Sequence, residues 1–258
     1  MHRGEQVDNM WKLVKYELRK QMQSKLVIFG IVALLEIIWF IGLFTKERVL
    51  YSTSALLFMI ANISMLYLYF ESVVTFSHDL KTKNSYMMFM TPNSSYKIVG
   101  AKILASGIQI LVYGLCFFGI GVLDIGIMTI RFNSVSETIE MVKKALHHFV
   151  HIDVDKTFVF LYLLTILIAG IFILVLAYVS ITLSATFLAN KPYKGVVSFA
   201  IFIAISYVVG KISNVLIGDG DVLFRDNKTM LLFIVWYTVL SAIAYVVTAW
   251  MLEKKVSL

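Results

Sequence analysis

Three ionisable side chains interrupt long apolar stretches of this sequence, and they are the first candidates for chemistry. Glu36, Glu71 and Lys211 each lie among aliphatic and aromatic residues, and Tyr67 shares the run of Glu71. An ionisable group within hydrocarbon is costly, so each such residue is a candidate for a proton, ion or substrate pathway. The alternative for each is a structural salt bridge or a helix contact.

Lys102 offers Glu71 an opposite charge in the next apolar run. At a rise of 1.5 Å per residue the two side chains lie at depths of about 9 Å and 6 Å from the same side. This match predicts a salt bridge between adjacent helices. Glu36 has no evident partner, Lys211 can extend outward to water, and Asp124, near the end of its run, is expected to be hydrated.

Other catalytic constellations are missing from the sequence. His147 and His151 are four residues apart and precede Asp153 and Asp155, but no HExxH or Cys/His set accompanies them. We therefore interpret them, with His148, as solvated residues at a helix end and predict no metal. The chain also lacks a GxSxG motif and a GxxxxGK[ST] phosphate loop. It is predicted to be neither an enzyme nor an ATPase by itself.

The composition indicates which kind of secondary structure positions these residues. Of 258 residues, 59% are hydrophobic and 15% are charged, against about 45–50% and 25% in soluble domains. A soluble protein is excluded, and residues 1–258 are predicted to form one all-α integral membrane domain. Six runs are long enough to cross a bilayer as helices. They lie at about 26–44, 55–77, 98–124, 157–189, 196–217 and 229–252.

The lysine and arginine residues predict the orientation. With the N-terminus inside, 14 of these residues fall in inner segments and 8 in outer ones. This bias predicts that both termini are cytoplasmic. It also accounts for the net charge of +7 without a nucleic-acid partner.

Two polar segments carry helical patterns of their own. In residues 1–25, apolar residues recur at helical spacing beside basic ones, which predicts an interfacial amphipathic helix anchored by Trp11. After the third run, Ser134 to Glu137 form a capping box followed by apolar residues at helical spacing. This predicts a small extracellular helix at 135–150.

The inner loop from His78 to Lys97 contains an apolar patch. Tyr86, Met87, Met88, Phe89 and Met90 stand together in an otherwise polar segment. Such a patch is expected to bury against lipid, its own helices or a partner protein, and methionines suit an adaptable binding surface. The short element is predicted to end before Pro92.

Residues 76–104 resemble the link after the second span in six-helix permeases of type-2 ABC exporters. The matching features are an acidic residue, a basic turn, a short apolar helix, a Thr-Pro step and a Gly-Ala-Lys sequence. They correspond here to Asp79, Lys83–Ser85, Tyr86–Met90, Thr91–Ser94 and Gly100–Lys102. Residues 11–20 also resemble the family's amphipathic start. Asn84 stands where the family usually has glycine.

The resemblance implies a coupling helix that binds a separate ATP-binding-cassette subunit. That subunit would carry ATP and Mg²⁺, this chain would bind no cofactor, and a second permease copy or a related permease would complete the pathway. An amphipathic peptide, lipid or drug is the expected cargo, at a bacterial plasma membrane. The residues implied in coupling are Asp79, Lys83, Tyr86, Met87, Met88, Phe89, Met90 and Pro92.

Two other functions stay open. The first is an ion- or proton-coupled secondary transporter that uses Glu36 and Glu71, although no inverted repeat with broken spans is evident. The second is a scaffold or sensor that binds a partner without transport. Transport in vesicles without ATP would distinguish the first from an ATP-driven exporter.

Overall fold

The computed structural model describes residues 2–45, 47–80, 94–132, 156–187, 193–218 and 227–254. Within these ranges the regular structure is helical. The helices are α1 (His2–Lys20), α2 (Met22–Thr45), α3 (Glu47–Asp79), α4 (Ser95–Phe132), α5 (Lys156–Phe187), α6 (Lys194–Ile217) and α7 (Asn227–Lys254).

Six of these helices are long and apolar enough to cross a membrane. The predicted number of spans is confirmed among the described residues, and α2 to α7 follow the predicted order. The boundaries differ in detail, since α4 continues to Phe132 instead of ending near residue 124. The N-terminal helix ends at Lys20, so Lys25 belongs to α2 and not to the predicted 1–25 helix. The interfacial position of α1 stays a prediction.

The spanning helices direct many large apolar side chains away from the protein. In α6, Val196, Tyr207 and Val215 are among the most exposed residues. A soluble protein would rarely leave so much contiguous apolar surface bare. In lipid the same surface carries no penalty, because hydrocarbon is its solvent, so the exposure fits the predicted membrane class.

Contacts divide the chain into two compact units. The first comprises Met1–Val14, Ser72–Gly107 and Ile152–Leu258, and the second comprises Lys15–Glu71 and Ile108–His151. In the first unit, α5 packs against both α6 and α7. Helix α5 is buried from Leu174 to Thr182. It is therefore the core helix of this unit.

The polar side chains in the buried part of α5 are tolerated there because they form hydrogen bonds within the protein. Ser180 and Thr182 donate hydrogen bonds to carbonyl oxygens one turn earlier, at 2.9 Å each. Ser184 donates to the carbonyl oxygen of Lys194, the first residue of α6, at 2.8 Å. Helix α6 ends at Ile217, and the next residue is Gly218, whose φ of 102° favours glycine.

The second unit has its own small core. Trp39 of α2 is 2% exposed, and its indole N–H donates a 2.9 Å hydrogen bond to Ser54 Oγ of α3. Together with Leu43 it packs against Leu57 of α3 and Ile127 of α4. Three helices of this unit are thereby joined.

Several predicted segments lie outside the described residues. They include Lys83, Pro92 and the predicted coupling helix at 86–90, together with the predicted extracellular helix at 135–150 and His147, His148 and His151.

Candidate functional site

A buried ion pair joins the two helices on either side of residues 81–93. Asp79 is the last residue of α3, and Lys102 lies two turns into α4. Their side chains form a salt bridge, and each is 3% exposed. The predicted Glu71–Lys102 bridge is therefore corrected: depth along the helices suggested Glu71, but the residue that pairs with Lys102 lies two turns nearer the loop.

Hydrogen bonds extend this contact into α5. Ser72 Oγ of α3 lies 2.5 Å from Ser106 Oγ of α4 and 2.7 Å from the Tyr178 hydroxyl of α5. The Tyr178 ring stacks on Phe76 with centroids 4.1 Å apart. All four side chains are nearly inaccessible. The ends of α3 and α4 are thus held against the core helix of the first unit.

Helix α7 joins the same region at the start of α4. The Tyr245 hydroxyl donates a 2.8 Å hydrogen bond to the carbonyl oxygen of Tyr96. Gly100 makes room for this approach, since a Cβ there would lie 3.3 Å from the Tyr245 hydroxyl oxygen. We call the contacts of Asp79, Lys102, Ser72, Ser106, Tyr178 and Tyr245 the inner clamp.

Glu71 has its partners in the second unit, on α2. Ser24 Oγ donates a 2.5 Å hydrogen bond to one carboxylate oxygen, Oε1. Lys25 Nζ lies 4.0 Å from the other oxygen, Oε2, and 3.4 Å from Gln21 Oε1. This arrangement fits the structural interpretation of Glu71 better than a lone charge facing lipid.

Tyr67 lies one turn before Glu71 on α3. Its side chain is 42% exposed. It contributes to an apolar groove of about 490 Å³ between α2 and α3, which also includes Ser24 and Ile31. The structure therefore brings Tyr67 and Glu71 into one region, while their role in transport stays a prediction.

Glu36 has a partner that the sequence did not reveal. Its carboxyl group lies close enough to that of Asp124, on α4 of the second unit, for the two to interact electrostatically. Asp124 is half-buried, so its hydration stays a prediction, and its nearness to Glu36 is a contact that the sequence did not predict.

Lys211 lies apart from these groups on an exposed face of α6. Its ammonium lies 5.8 Å from the centre of the Tyr207 ring, one turn earlier, which is within range of a cation–π contact. The exposure agrees with an outward-extended side chain. A place for Lys211 on a substrate path stays a prediction.

Sequence reasoning missed the roles of Lys25 and Tyr178 and the nearness of Asp124 to Glu36. Lys25 was assigned to the interfacial segment, although its position only three residues after the start of α2 puts it one turn inside a span. Tyr178 carries no signal, because a tyrosine in an apolar run is common. Asp124 was identified, but no pattern pairs it with a residue 88 positions earlier in the chain.

No family model, no curated protein and no solved structure matches this chain.

Proposed function

We propose that this chain is the membrane subunit of an ATP-binding-cassette exporter of the type-2 class. The observation that carries the proposal is the inner clamp beside the 81–93 segment. The sequence between its two flanking helices holds an apolar patch that suits a partner protein. A segment that receives force from a partner needs flanking helices that move together, and the Asp79–Lys102 ion pair supplies such a link.

The clamp offers a route for motion through the first unit. A displacement of the 86–90 segment would act on the end of α3 and the start of α4 together. Ser72, Ser106 and Tyr178 would pass it to α5, and Tyr245 would pass it to α7. Buried contacts of this kind transmit displacement because protein interiors are close-packed.

The proposal requires partners that supply what the chain lacks. A separate subunit would bind ATP and Mg²⁺ and hydrolyse the nucleotide. A second copy of this chain, or a related permease, would complete a pathway for an amphipathic peptide, lipid or drug. Both termini would then face the cytoplasm of a bacterial cell.

The test is purification of the tagged chain from its native host in mild detergent, followed by mass spectrometry. We expect a stoichiometric subunit with a nucleotide-binding motif. A variant with Met87→Ser and Phe89→Ser should lose that subunit while keeping its expression and elution volume. A preparation that holds no ATP-binding protein, even after crosslinking in the membrane, would refute the proposal.

A matched control separates lost binding from lost folding. Leu115→Ser and Phe118→Ser change two apolar side chains on α4 that are 68% and 67% exposed. They lie outside the inner loop and the clamp. This control should retain the ATP-binding subunit, so a loss in both preparations would mean that the effect is nonspecific.

A secondary transporter is the second candidate, and the Glu36–Asp124 pair favours it. Two carboxyl groups close together among apolar helices are suited to bind and release a proton. In this function the pair would lose and regain a proton during each transport cycle, and Glu71 would contribute a second site.

Vesicles without ATP distinguish the two candidates. A secondary transporter should show uptake driven by an imposed pH gradient in proteoliposomes that contain only this chain, and Glu36→Gln should abolish it. An exporter of the first kind should show transport only with its ATP-binding subunit and ATP. Gradient-driven transport unaffected by Glu36→Gln would exclude a role for the pair.

A further inference from the structure

Helices α2 and α4 run side by side in the second unit. The rings of Phe29 on α2 and Tyr113 on α4 have centroids 4.8 Å apart. Further along the same helices, Trp39 and Leu43 of α2 pack against Ile127 of α4. Contacts that advance together along both helices mean that the two run in the same direction. The residues one turn before Phe29 and one turn before Tyr113 therefore lie at the same level of the unit.

Those residues are Lys25 on α2 and Gln109 on α4. Because residues four apart share a helix face, both lie on the faces through which the two helices meet. They are 8% and 5% exposed, which agrees with this placement. Lys25 Nζ lies 4.0 Å from Glu71 Oε2 of α3. Gln109 is thereby placed at the level of the ion pair between α2 and α3.

Three buried polar atoms at this level and the next turn have no hydrogen-bond partner among the residues that the structure describes. They are Glu71 Oε2, Gln109 Nε2 and the Tyr113 hydroxyl. Tyr113 is 3% exposed, and it lies within electrostatic range of the Glu71 carboxylate. Buried polar groups are normally hydrogen-bonded, and each that is not needs an explanation. The three atoms therefore indicate a ligand inside the unit.

This ligand must both donate and accept hydrogen bonds. A carboxylate oxygen accepts them, an amide nitrogen donates them, and a phenol does either. Lys25 already balances the charge of Glu71, so a bound ion would add an uncompensated buried charge, and the ligand is therefore neutral. Its partners are buried atoms of two helices, α3 and α4, which favours a small molecule over a lipid or a peptide. Water meets these conditions, because it binds in polar sites that offer it about two to four partners.

We propose that ordered water binds between α2, α3 and α4, held jointly by Glu71, Gln109 and Tyr113. The water accepts a hydrogen bond from Gln109 Nε2, donates one to Glu71 Oε2 and exchanges one with the Tyr113 hydroxyl. Glu71 is then an intramembrane carboxylate in contact with water, which is what a residue on a proton or ion path requires. The site is independent of how the protein is driven, so it does not rest on the proposed function.

The first test is radiolytic labelling of the purified full chain in lipid nanodiscs. A millisecond X-ray exposure converts water to hydroxyl radicals, and mass spectrometry reads the oxidised residues. A buried side chain is oxidised only where water is bound beside it, so Tyr113 should be labelled. Tyr178 is the matched control, because it is also a buried tyrosine, 1% exposed, and its hydroxyl already has a partner in Ser72. It should stay unlabelled at the same dose.

The second test is the thermal stability of two variants, Gln109→Leu and Tyr113→Phe. With water bound, each variant removes a hydrogen bond and should lower the melting temperature by about 2–4 °C, the shift expected for one such bond in a protein of about this length. Gln109→Leu should also reduce the labelling of Tyr113, because the water loses a partner. Tyr67→Phe removes the same hydroxyl from a tyrosine that is 42% exposed, and it should change the melting temperature less than either variant.

Three results would overturn the inference. A rise in the melting temperature of both variants would mean a dry site, in which each substitution removes an unsatisfied buried group. Equal labelling of Tyr113 and Tyr178 would mean that radicals enter when the helices open, and not that water is bound. A lower melting temperature without labelling of Tyr113 would mean that a lipid head group or another part of the chain completes the three atoms.

Discussion

The Asp79–Lys102 ion pair predicts a large and asymmetric response to substitution. Both side chains are 3% exposed, so removing one takes away the opposite charge that the other, buried charge contacts. Breaking a buried pair in this way costs about 3–5 kcal/mol. The free energy of unfolding of a protein is only about 5–15 kcal/mol. Asp79→Leu or Lys102→Met should therefore remove a large fraction of this free energy.

Replacing both residues should cost much less than replacing either one. The double variant Asp79→Leu with Lys102→Met exchanges a desolvated pair for apolar contacts, which is often neutral or stabilising. On the scale of soluble proteins of similar length, each single variant should lower the melting temperature by roughly 6–20 °C. The double variant should recover most of that loss.

The assay heats each variant in the same detergent and measures the protein that stays folded by fluorescence-detected size-exclusion chromatography. Lys211→Met is the control. Lys211 is exposed on α6, and its loss should change stability by no more than about 0.5 kcal/mol. Additive single and double effects would refute coupling between Asp79 and Lys102. Single effects no larger than that of Lys211→Met would refute the burial argument itself.

Further predictions concern neighbouring contacts. Tyr178→Phe removes a hydroxyl that shares a 2.7 Å hydrogen bond with a buried serine, so it should cost about 1–3 kcal/mol in thermal unfolding; an unchanged melting temperature would contradict this. Gly100→Ala should lower the stability of the protein, because the new Cβ would lie 3.3 Å from the Tyr245 hydroxyl oxygen. Gly107→Ala is the matched control: its Cβ would meet nothing within 4 Å, so it should stabilise the protein by about 0.5–1 kcal/mol. Equal effects of the two variants would refute the close approach of Tyr245 to Gly100. Trp39→Phe removes a buried donor and ring volume and should cost about 2 kcal/mol or more in the same assay. A cost below about 1 kcal/mol would contradict it.

The fold class was predictable because it depends on quantities that are local in the sequence. A bilayer requires long uninterrupted apolar runs, and six such helices are present. Helix ends were less predictable. Helix α4 continues for eight residues past the predicted limit at Asp124, to Phe132, because hydropathy marks where lipid is tolerated and not where the backbone stops being helical.

The candidate site was predictable in its residue types and not in its pairs. Glu36 and Glu71 were identified from the cost of burying charge and Lys102 from its depth, and each has an electrostatic partner in the structure. The partners of Glu71 and Lys102 were predicted wrongly. Depth along a helix is set by sequence position, but the rotation of the helix decides which side chains meet, and rotation depends on how neighbouring helices pack.

By itself the sequence determined that the chain is a membrane protein of six apolar helices, because a helix that crosses a bilayer must be apolar and about 20 residues long. It also determined which polar groups are costly enough to need partners. Only the tertiary structure decided that Lys102 pairs with Asp79, that Ser24 and Lys25 contact Glu71, and that Asp124 lies beside Glu36. These contacts join residues distant in the chain, and their energies depend on separations of a few ångströms that no local pattern encodes.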